Sequence, residues 1–302
     1  MADPILAEFT SAAEEFLAGV AEPKPPRTAD SWGEGEDRFS LFRGSSIADA
    51  KAARDWLRQV FDAGFGWICG PVEWGGRGLP PVYEKAYLAV ERNYDVPSRS
   101  PLGVSLGMVG PTLAQCGSDG ARSRWLKALY RGDAIGCQLF SEPAAGSDLA
   151  SVATKAVRDG DHWRVSGQKV WTSGAHYSDV GLLLARTSAE PRHKNLTAFL
   201  VDMHAPGVEV RPLRQMTGGA DFNEVFLDDV RIGDEFRLGD VDEGWRVALA
   251  TLAHERGAIG GSGAGGSGLF DMKRLAAMLI ALGVQREPAV RQAYAALFAG
   301  VA

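Results

Sequence analysis

The chain has 302 residues, 45% of them hydrophobic and 23% charged, which suits a globular protein with two or three packed layers around a large core. A net charge of −6 and a pI near 5.5 exclude the basic face expected of a nucleic-acid binder. No basic stretch followed by a long apolar core opens the sequence, and no apolar run reaches the ~18 to 20 residues of a membrane span. A cytoplasmic protein with no membrane span is therefore expected.

In chain order, Ile5 to Leu17 places apolar residues at helical spacing, and Pro23 to Arg27 breaks that pattern before a polar loop through Gly35. Ser46 to Ala63 reads as an amphipathic helix with Ser45 or Ser46 as N-cap. Pro71 to Gly78 is a loop by composition. Pro81 to Glu91 reads as a helix with proline in its first turn. Pro101 to Cys116 and Ala121 to Leu129 predict two more helices.

From about residue 133 the period changes to that of strands. His162 to Ser166 alternates, Gly167-Gln bends the chain, and Lys169 to Thr172 continues it. Val180 to Arg186, Leu196 to Asp202, Gly207 to Arg211 and Glu224 to Arg231 extend the series. Short strands between Gly, Pro and Asp turns predict a sandwich or barrel. Helical patterns return at Gly244 to Ile259, Leu269 to Leu282 and Pro288 to Ala299. The expected fold class is α+β and multidomain: an N-terminal helical domain (1–132), a middle antiparallel β-sandwich or barrel domain (133–240) and a partial C-terminal helical bundle (241–302).

Several familiar chemistries are absent. Cys69, Cys116 and Cys137 are odd in number and widely spaced, so they make neither a disulfide framework nor a metal site. The five histidines include no H-E-x-x-H pair, and no metal is expected. There is no G-x-S-x-G and no P-loop lysine. Gly261 to Gly266 fits G-x-G-x-x-G, but a helix rather than a strand precedes it, so a small-residue break is the better reading.

Two stretches carry more chemistry than the rest: Gln138-Leu-Phe-Ser-Glu-Pro-Ala-Ala-Gly-Ser-Asp-Leu149 and Gly167-Gln-Lys-Val-Trp-Thr-Ser-Gly174. A turn of open backbone N–H groups and short hydroxyls suits a ligand rich in acceptor atoms. A tryptophan beside it offers a flat apolar wall for a planar ring. At their separation the two stretches closely resemble the acyl-CoA dehydrogenase family, as do Pro71 to Leu79 and Asn223 to Ile232. The α, β, α order of the zones resembles the family layout, and the resemblance runs from about residue 5 to about 260.

The resemblance implies FAD as cofactor, held by Gln138, Phe140 and Ser141 in the first stretch and Trp171, Thr172 and Ser173 in the second. Serine at 141 and 173, where the family most often has threonine, keeps the hydroxyl and loses a methyl. Gly146 and Ser147 correspond to the turn that meets the pantetheine-phosphate part of acyl-CoA. The implied reaction is α,β-dehydrogenation of an acyl-CoA thioester to the trans-2-enoyl-CoA. A carboxylate takes the α-proton and flavin N5 takes the β-hydrogen as hydride. In a minority of members that carboxylate precedes an arginine on the first helix of the C-terminal domain, which makes Glu255 the candidate base and Arg256 its neighbour. Such members often take branched, long or steroid-derived acyl chains.

The second C-terminal helix does not reproduce the family's dimer-related FAD contacts, and the last part of the bundle has no counterpart. Either a longer chain or another subunit would complete it, as a homo-oligomer or an α2β2 assembly. The implied electron acceptor is an electron-transfer flavoprotein. Two other readings remain: a non-catalytic or co-catalytic subunit of a heteromeric enzyme, and an acyl-CoA oxidase.

Overall fold

A computed structural model describes residues 4–24, 46–216, 218–261 and 272–301. The loop expected at 25–35 and the glycine-rich segment 262–268, which holds most of the G-x-G-x-x-G match, lie outside the described residues, as do the first residues of the helix expected from Leu269. Residues 4–24 and 46–256 belong to one compact unit.

Helix α1 spans Pro4–Val20, α2 Ile47–Asp62 and α3 Pro81–Glu91. Ser46 starts α2 with a reciprocal cap: its hydroxyl accepts from the Asp49 N–H at 3.1 Å, and its own N–H donates to the Asp49 carboxylate at 3.2 Å. The buried face of α2, including Trp56 and Val60, packs with Leu17 of α1 and Tyr87 of α3. Strands β1 (Glu22–Pro23) and β2 (Tyr94–Asp95) pair antiparallel beside these helices.

The helix expected over Pro101 to Cys116 forms, but its hydrogen-bond register changes along its length. A short 3-10 turn at Ser100–Leu102 leads into a π-helical turn at Ser105–Val109, and only then does α4 (Gly110–Cys116) begin. Pro111 has no N–H to return to the carbonyl four residues back. Gly110 instead donates five residues back, to the Ser105 carbonyl, which is the register of a π-bulge. Helix α5 (Asp119–Arg131) follows, capped by the Ser118 hydroxyl.

The middle of the chain is one eight-stranded sheet. Its strands are β3 (Gly136–Leu139), β4 (Lys155–Asp159), β5 (His162–Ser173), β6 (Val180–Arg186), β7 (Leu196–Asp202), β8 (Val208–Leu213), β9 (Phe222–Gly233) and β10 (Arg237–Leu238). Pairing runs β10-β7-β6-β4-β5-β9-β8, with β3 also on β6. The expected antiparallel pattern holds for most pairs, but β3 runs parallel to β6. Strands β4 and β6 share one residue pair, Lys155 with Arg186, also parallel. The sheet turns on itself at that corner. Phe199, Leu183 and Val201 from one half meet Trp163, Val165, Val225 and Leu227 from the other in a shared core, which is the sandwich packing expected from the sequence. The opposite faces of β6 and β7, including Leu182, Leu184 and Leu200, pack against Leu126 and Leu129 of α5. Burial on both faces explains why Val180 to Arg186 reads as an unbroken apolar run.

Helix α6 spans Gly244–Gly261 and plants Val247 and Ala248 in the core that also holds Phe140 and Ala145. Gly244 permits its entry, because a Cβ there would sit 2.6 Å from the Thr197 Cα. Helices α7 (Met272–Ala281) and α8 (Pro288–Val301) follow, in a second compact unit.

Candidate functional site

Strand β3 alternates its side chains between two cores. Cys137 and Leu139 face the interior of the sandwich, whereas Phe140 enters the core shared with α5 and α6, with Gln138 half-buried on that side. Beyond β3 the chain tightens: Glu142 and Ala145 exchange both backbone hydrogen bonds at 3.0 Å. Ala145 is buried, while Gly146, Ser147 and Asp148 stand exposed at the tip.

The Glu142 side chain turns inward. It accepts from the backbone N–H of Ala153 at 2.6 Å and of Thr154 at 3.0 Å, and from Lys169 Nζ at 2.8 Å. Lys169 is fully buried, and its ammonium also donates to the carbonyls of Phe140 at 3.1 Å and Leu184 at 2.7 Å. All three ammonium protons therefore have acceptors. Burial pushes Lys169 down to about 8, against the pull of Glu142. Burial alone would raise Glu142, but the Lys169 charge and the hydrogen bonds it accepts hold it below the usual carboxylate range. This pair ties both candidate stretches to β6 and the start of β4. Neither residue was singled out from the sequence. The available signal was a lysine inside the strand-like Gly167 to Thr172 run with a glutamate beside the first turn.

Strand β5 continues past Lys169 into a bulge, with a register shift against β9 between Lys169 and Thr172. The Val170 N–H donates to the Ser141 carbonyl at 2.9 Å, so the two stretches lie side by side. At the bulge Trp171 has φ +61° and is 62% exposed. A left-handed backbone costs a bulky L-residue about 1–2 kcal/mol, and here it turns the indole out of the sheet, edge-on to Phe222 with centroids 6.0 Å apart. Next to it Thr172 is buried, and its hydroxyl has no hydrogen-bond partner among the described residues. The Asn223 amide donates to the Thr172 carbonyl at 2.9 Å and its oxygen lies 3.1 Å from His176 Nδ1. Ser173 closes the strand, and Ser141 and Ser173 are both half-buried.

The structure thus brings Phe140, Ser141, Trp171, Thr172 and Ser173 together, with Gln138 one strand step away. Gly146 and Ser147 occupy the exposed tip of the same turn. Glu255 and Arg256 lie on α6, half-buried and exposed respectively, and neither makes a hydrogen bond or ion pair among the described residues. Helix α6 is fixed there by Thr112 and Thr251, whose hydroxyls are 3.1 Å apart, and by His254, whose Nε2 is 3.0 Å from the Gln115 amide. An outward indole, an unpartnered buried hydroxyl and two half-exposed serines fit a planar ligand bearing polar edge atoms, as an isoalloxazine does. Among the described residues no His, Cys, Asp and Glu cluster could hold a metal, and no helix is long and apolar enough to cross a membrane.

Two family models match: the acyl-CoA dehydrogenase N-terminal domain over residues 45–133 and the middle domain over 137–230. The chain is 43% identical over 219 residues to the acyl-CoA dehydrogenase FadE34 of Mycobacterium tuberculosis, covering 71% of this chain and 30% of that protein. It is 44% identical over 206 residues to the acyl-CoA dehydrogenase IpdE1 of the same organism, covering 68% of this chain and 53% of the relative. The chain therefore spans at most about half of these relatives. Among solved structures, a Tcur3481–Tcur3483 steroid ACAD superposes with a TM-score of 0.68 at 27% identity, covering 99% of this chain and 73% of the other. The ChsE4–ChsE5 complex of Mycobacterium tuberculosis matches at a TM-score of 0.60 and 25% identity, covering 84% and 61%.

Proposed function

Because the chain belongs to the acyl-CoA dehydrogenase family, we propose that it carries out the α,β-dehydrogenation of an acyl-CoA thioester to the trans-2-enoyl thioester. The family is FAD-dependent. FAD, when bound, supplies the acceptor of the β-hydrogen, taken as hydride at flavin N5. In this reading Trp171 is the wall for the ring, and Gln138, Phe140, Ser141, Thr172 and Ser173 surround it. The Thr172 hydroxyl would gain the partner it lacks. Gly146 and Ser147 receive the pantetheine-phosphate arm, and Glu255 takes the α-proton with Arg256 beside it. That proton is weakly acidic, so donors to the thioester oxygen must hold the developing charge.

The observation that carries the reading is the left-handed, exposed Trp171 beside the buried Thr172 hydroxyl, locked to the Ser141 turn. Strained backbone at a functional site is a recurring device. The solved neighbour described as a steroid ACAD favours a bulky, steroid-derived acyl chain. It also favours a hetero-oligomer of two unlike chains, in which this one could be a co-catalytic subunit. An electron-transfer flavoprotein would take the electrons in the cytoplasm; steady peroxide release in air would instead identify an oxidase.

The test is the visible spectrum of the purified protein before and after anaerobic addition of acyl-CoA thioesters, including a steroid thioester. A flavin band that bleaches supports the dehydrogenation and ranks the substrates. Glu255→Gln should keep the yellow colour and lose the bleaching; bleaching that survives puts the base elsewhere. A chain that takes up no FAD even when it is added would refute the flavin assignment for the chain alone.

A further inference from the structure

The bulge that turns Trp171 outward is held from behind by side chains that the reaction leaves unassigned. Between Lys169 and Thr172 strand β5 takes three steps, while β9 takes two, from Val225 to Asn223. One residue of β5 is therefore surplus to the ladder, and the left-handed backbone of Trp171 absorbs it. The ladder resumes where Thr172 pairs with Asn223. Asn223 is fully buried, and its Nδ2 donates to the Thr172 carbonyl at 2.9 Å. With the NH2 turned to that carbonyl, the amide oxygen on the other side can only accept. His176 Nδ1, 3.1 Å away, is therefore the donor. The neutral imidazole is thereby fixed as the tautomer with its proton on Nδ1.

His176 lies in the 3-10 turn Ala175–Tyr177 that follows β5. That turn is pinned on several sides. The Gly174 N–H donates to the Asp221 carbonyl at 3.0 Å, and the Gly174 carbonyl accepts from the Ser178 hydroxyl at 2.9 Å. Tyr177 covers Gly174, where any Cβ would collide with the tyrosine hydroxyl, and it packs on the core of Leu57, Leu102 and Ile135. Its ring meets the His176 ring edge-on, with centroids 4.7 Å apart. The imidazole thus reaches Asn223 from a fixed base. A buried amide that lost this donor would keep an unsatisfied oxygen, and its hold on Thr172 would loosen.

We propose that His176, acting through Asn223, is a positioning residue for the flavin-facing bulge. It fixes the Thr172 carbonyl, and so holds the Trp171 indole and the Thr172 hydroxyl in the geometry that receives the ring. This rests on the flavin reading of Trp171. The contribution is preorganisation: a bulge set before the ligand arrives loses less freedom when it binds.

The experiment is titration of the FAD-free full chain with FAD, followed by flavin fluorescence. It is read with the visible spectrum and reduction potential of the bound flavin and the melting temperature of the FAD-free protein. H176F keeps a ring against Tyr177 and removes the donor, whereas H176N keeps an N–H where Nδ1 stood. H176F should weaken FAD binding about three- to tenfold, the worth of one hydrogen bond, and should move the potential of the bound flavin. H176A, which opens space instead of filling it, should show the same loss. H176N should restore most of the affinity and the wild-type potential. If H176F and H176A bind FAD as tightly as wild type at an unchanged potential, the proposal is overturned even where their melting temperatures fall, because the pair then supports the fold alone. That result leaves the flavin reading standing. A wild type that takes up no FAD removes the flavin reading and the role of His176 together.

Discussion

The ion pair between Lys169 and Glu142 shows how one residue can hold a site it does not touch. Removing one partner of a buried pair leaves the other charge without compensation, which costs about 3–5 kcal/mol. Lys169→Met should therefore destabilise the protein by roughly that amount in urea unfolding, whereas Lys169→Met with Glu142→Gln should recover most of it. A single variant as stable as wild type would show that the pair is dispensable. The pH dependence has a definite sign. Glu142 is held below its ordinary 4.5 in the folded state, so its contribution is present above that value and lost as pH falls through the folded value. The stability gap between wild type and a Glu142→Gln variant should close on acidification. Trp171→Ala tests the other end of the same strand. It removes an exposed wall rather than a core residue, so FAD retention on gel filtration should drop while the melting temperature of the FAD-free protein stays close to wild type. Unchanged retention would remove Trp171 from the flavin site.

At the scale of elements, β5 bends twice, and both bends matter. The first lies between Val165 and Gly167, where the register against β9 shifts. A Cβ at Gly167 would meet the Thr154 Cα at 2.7 Å, and Thr154 cannot retreat because Glu142 holds its N–H. Gly167→Ala should cost about 1–3 kcal/mol, read by urea unfolding; a neutral result would mean that the β4–β5 corner can open. The sequence made this bend visible, because glycine inside an alternating run marks a bulge or a close approach. The same kind of signal placed α3 to the residue, since proline marks its first turn, and narrowed the α2 cap to Ser45 or Ser46, of which the structure uses Ser46. The second bend, at Trp171, carries no such mark. Nothing in a lone tryptophan announces a positive φ, because the bulge is set by the pairing with β9 and by Asn223 rather than by local preference. The π-helical turn before Pro111 was missed for a different reason. The apolar spacing over Pro101 to Cys116 was helical enough, but one absent N–H rerouted the hydrogen bonds.

For the whole molecule, the α, β, α order was legible because helical and strand periods differ along the chain, and short strands with turn residues between them pointed to a sandwich or barrel without choosing between the two. What periodicity could not give was the folding of the sheet at the Lys155–Arg186 corner, or that Phe140, Ala145, Val247 and Ala248 share one core. These are long-range contacts between segments that each look ordinary. The candidate site was legible as two motifs and a glutamate on the helix that begins at Gly244; the lysine that joins the two motifs needed coordinates. Large apolar side chains stand open on the last two helices: Ile280 is 62% exposed, Leu282 just beyond α7 63%, and Leu297 and Phe298 on α8 49% and 54%. Exposed large apolar side chains on both of these helices suit association with another chain. The chain should therefore sediment above its single-chain mass of 32.2 kDa at micromolar concentration, and Leu297→Glu with Phe298→Glu should lower that mass without touching the flavin residues. A chain that stays at the single-chain mass would discard self-association through these helices. The remaining reading would be an unlike partner, whose addition should then raise the mass and deepen FAD retention together.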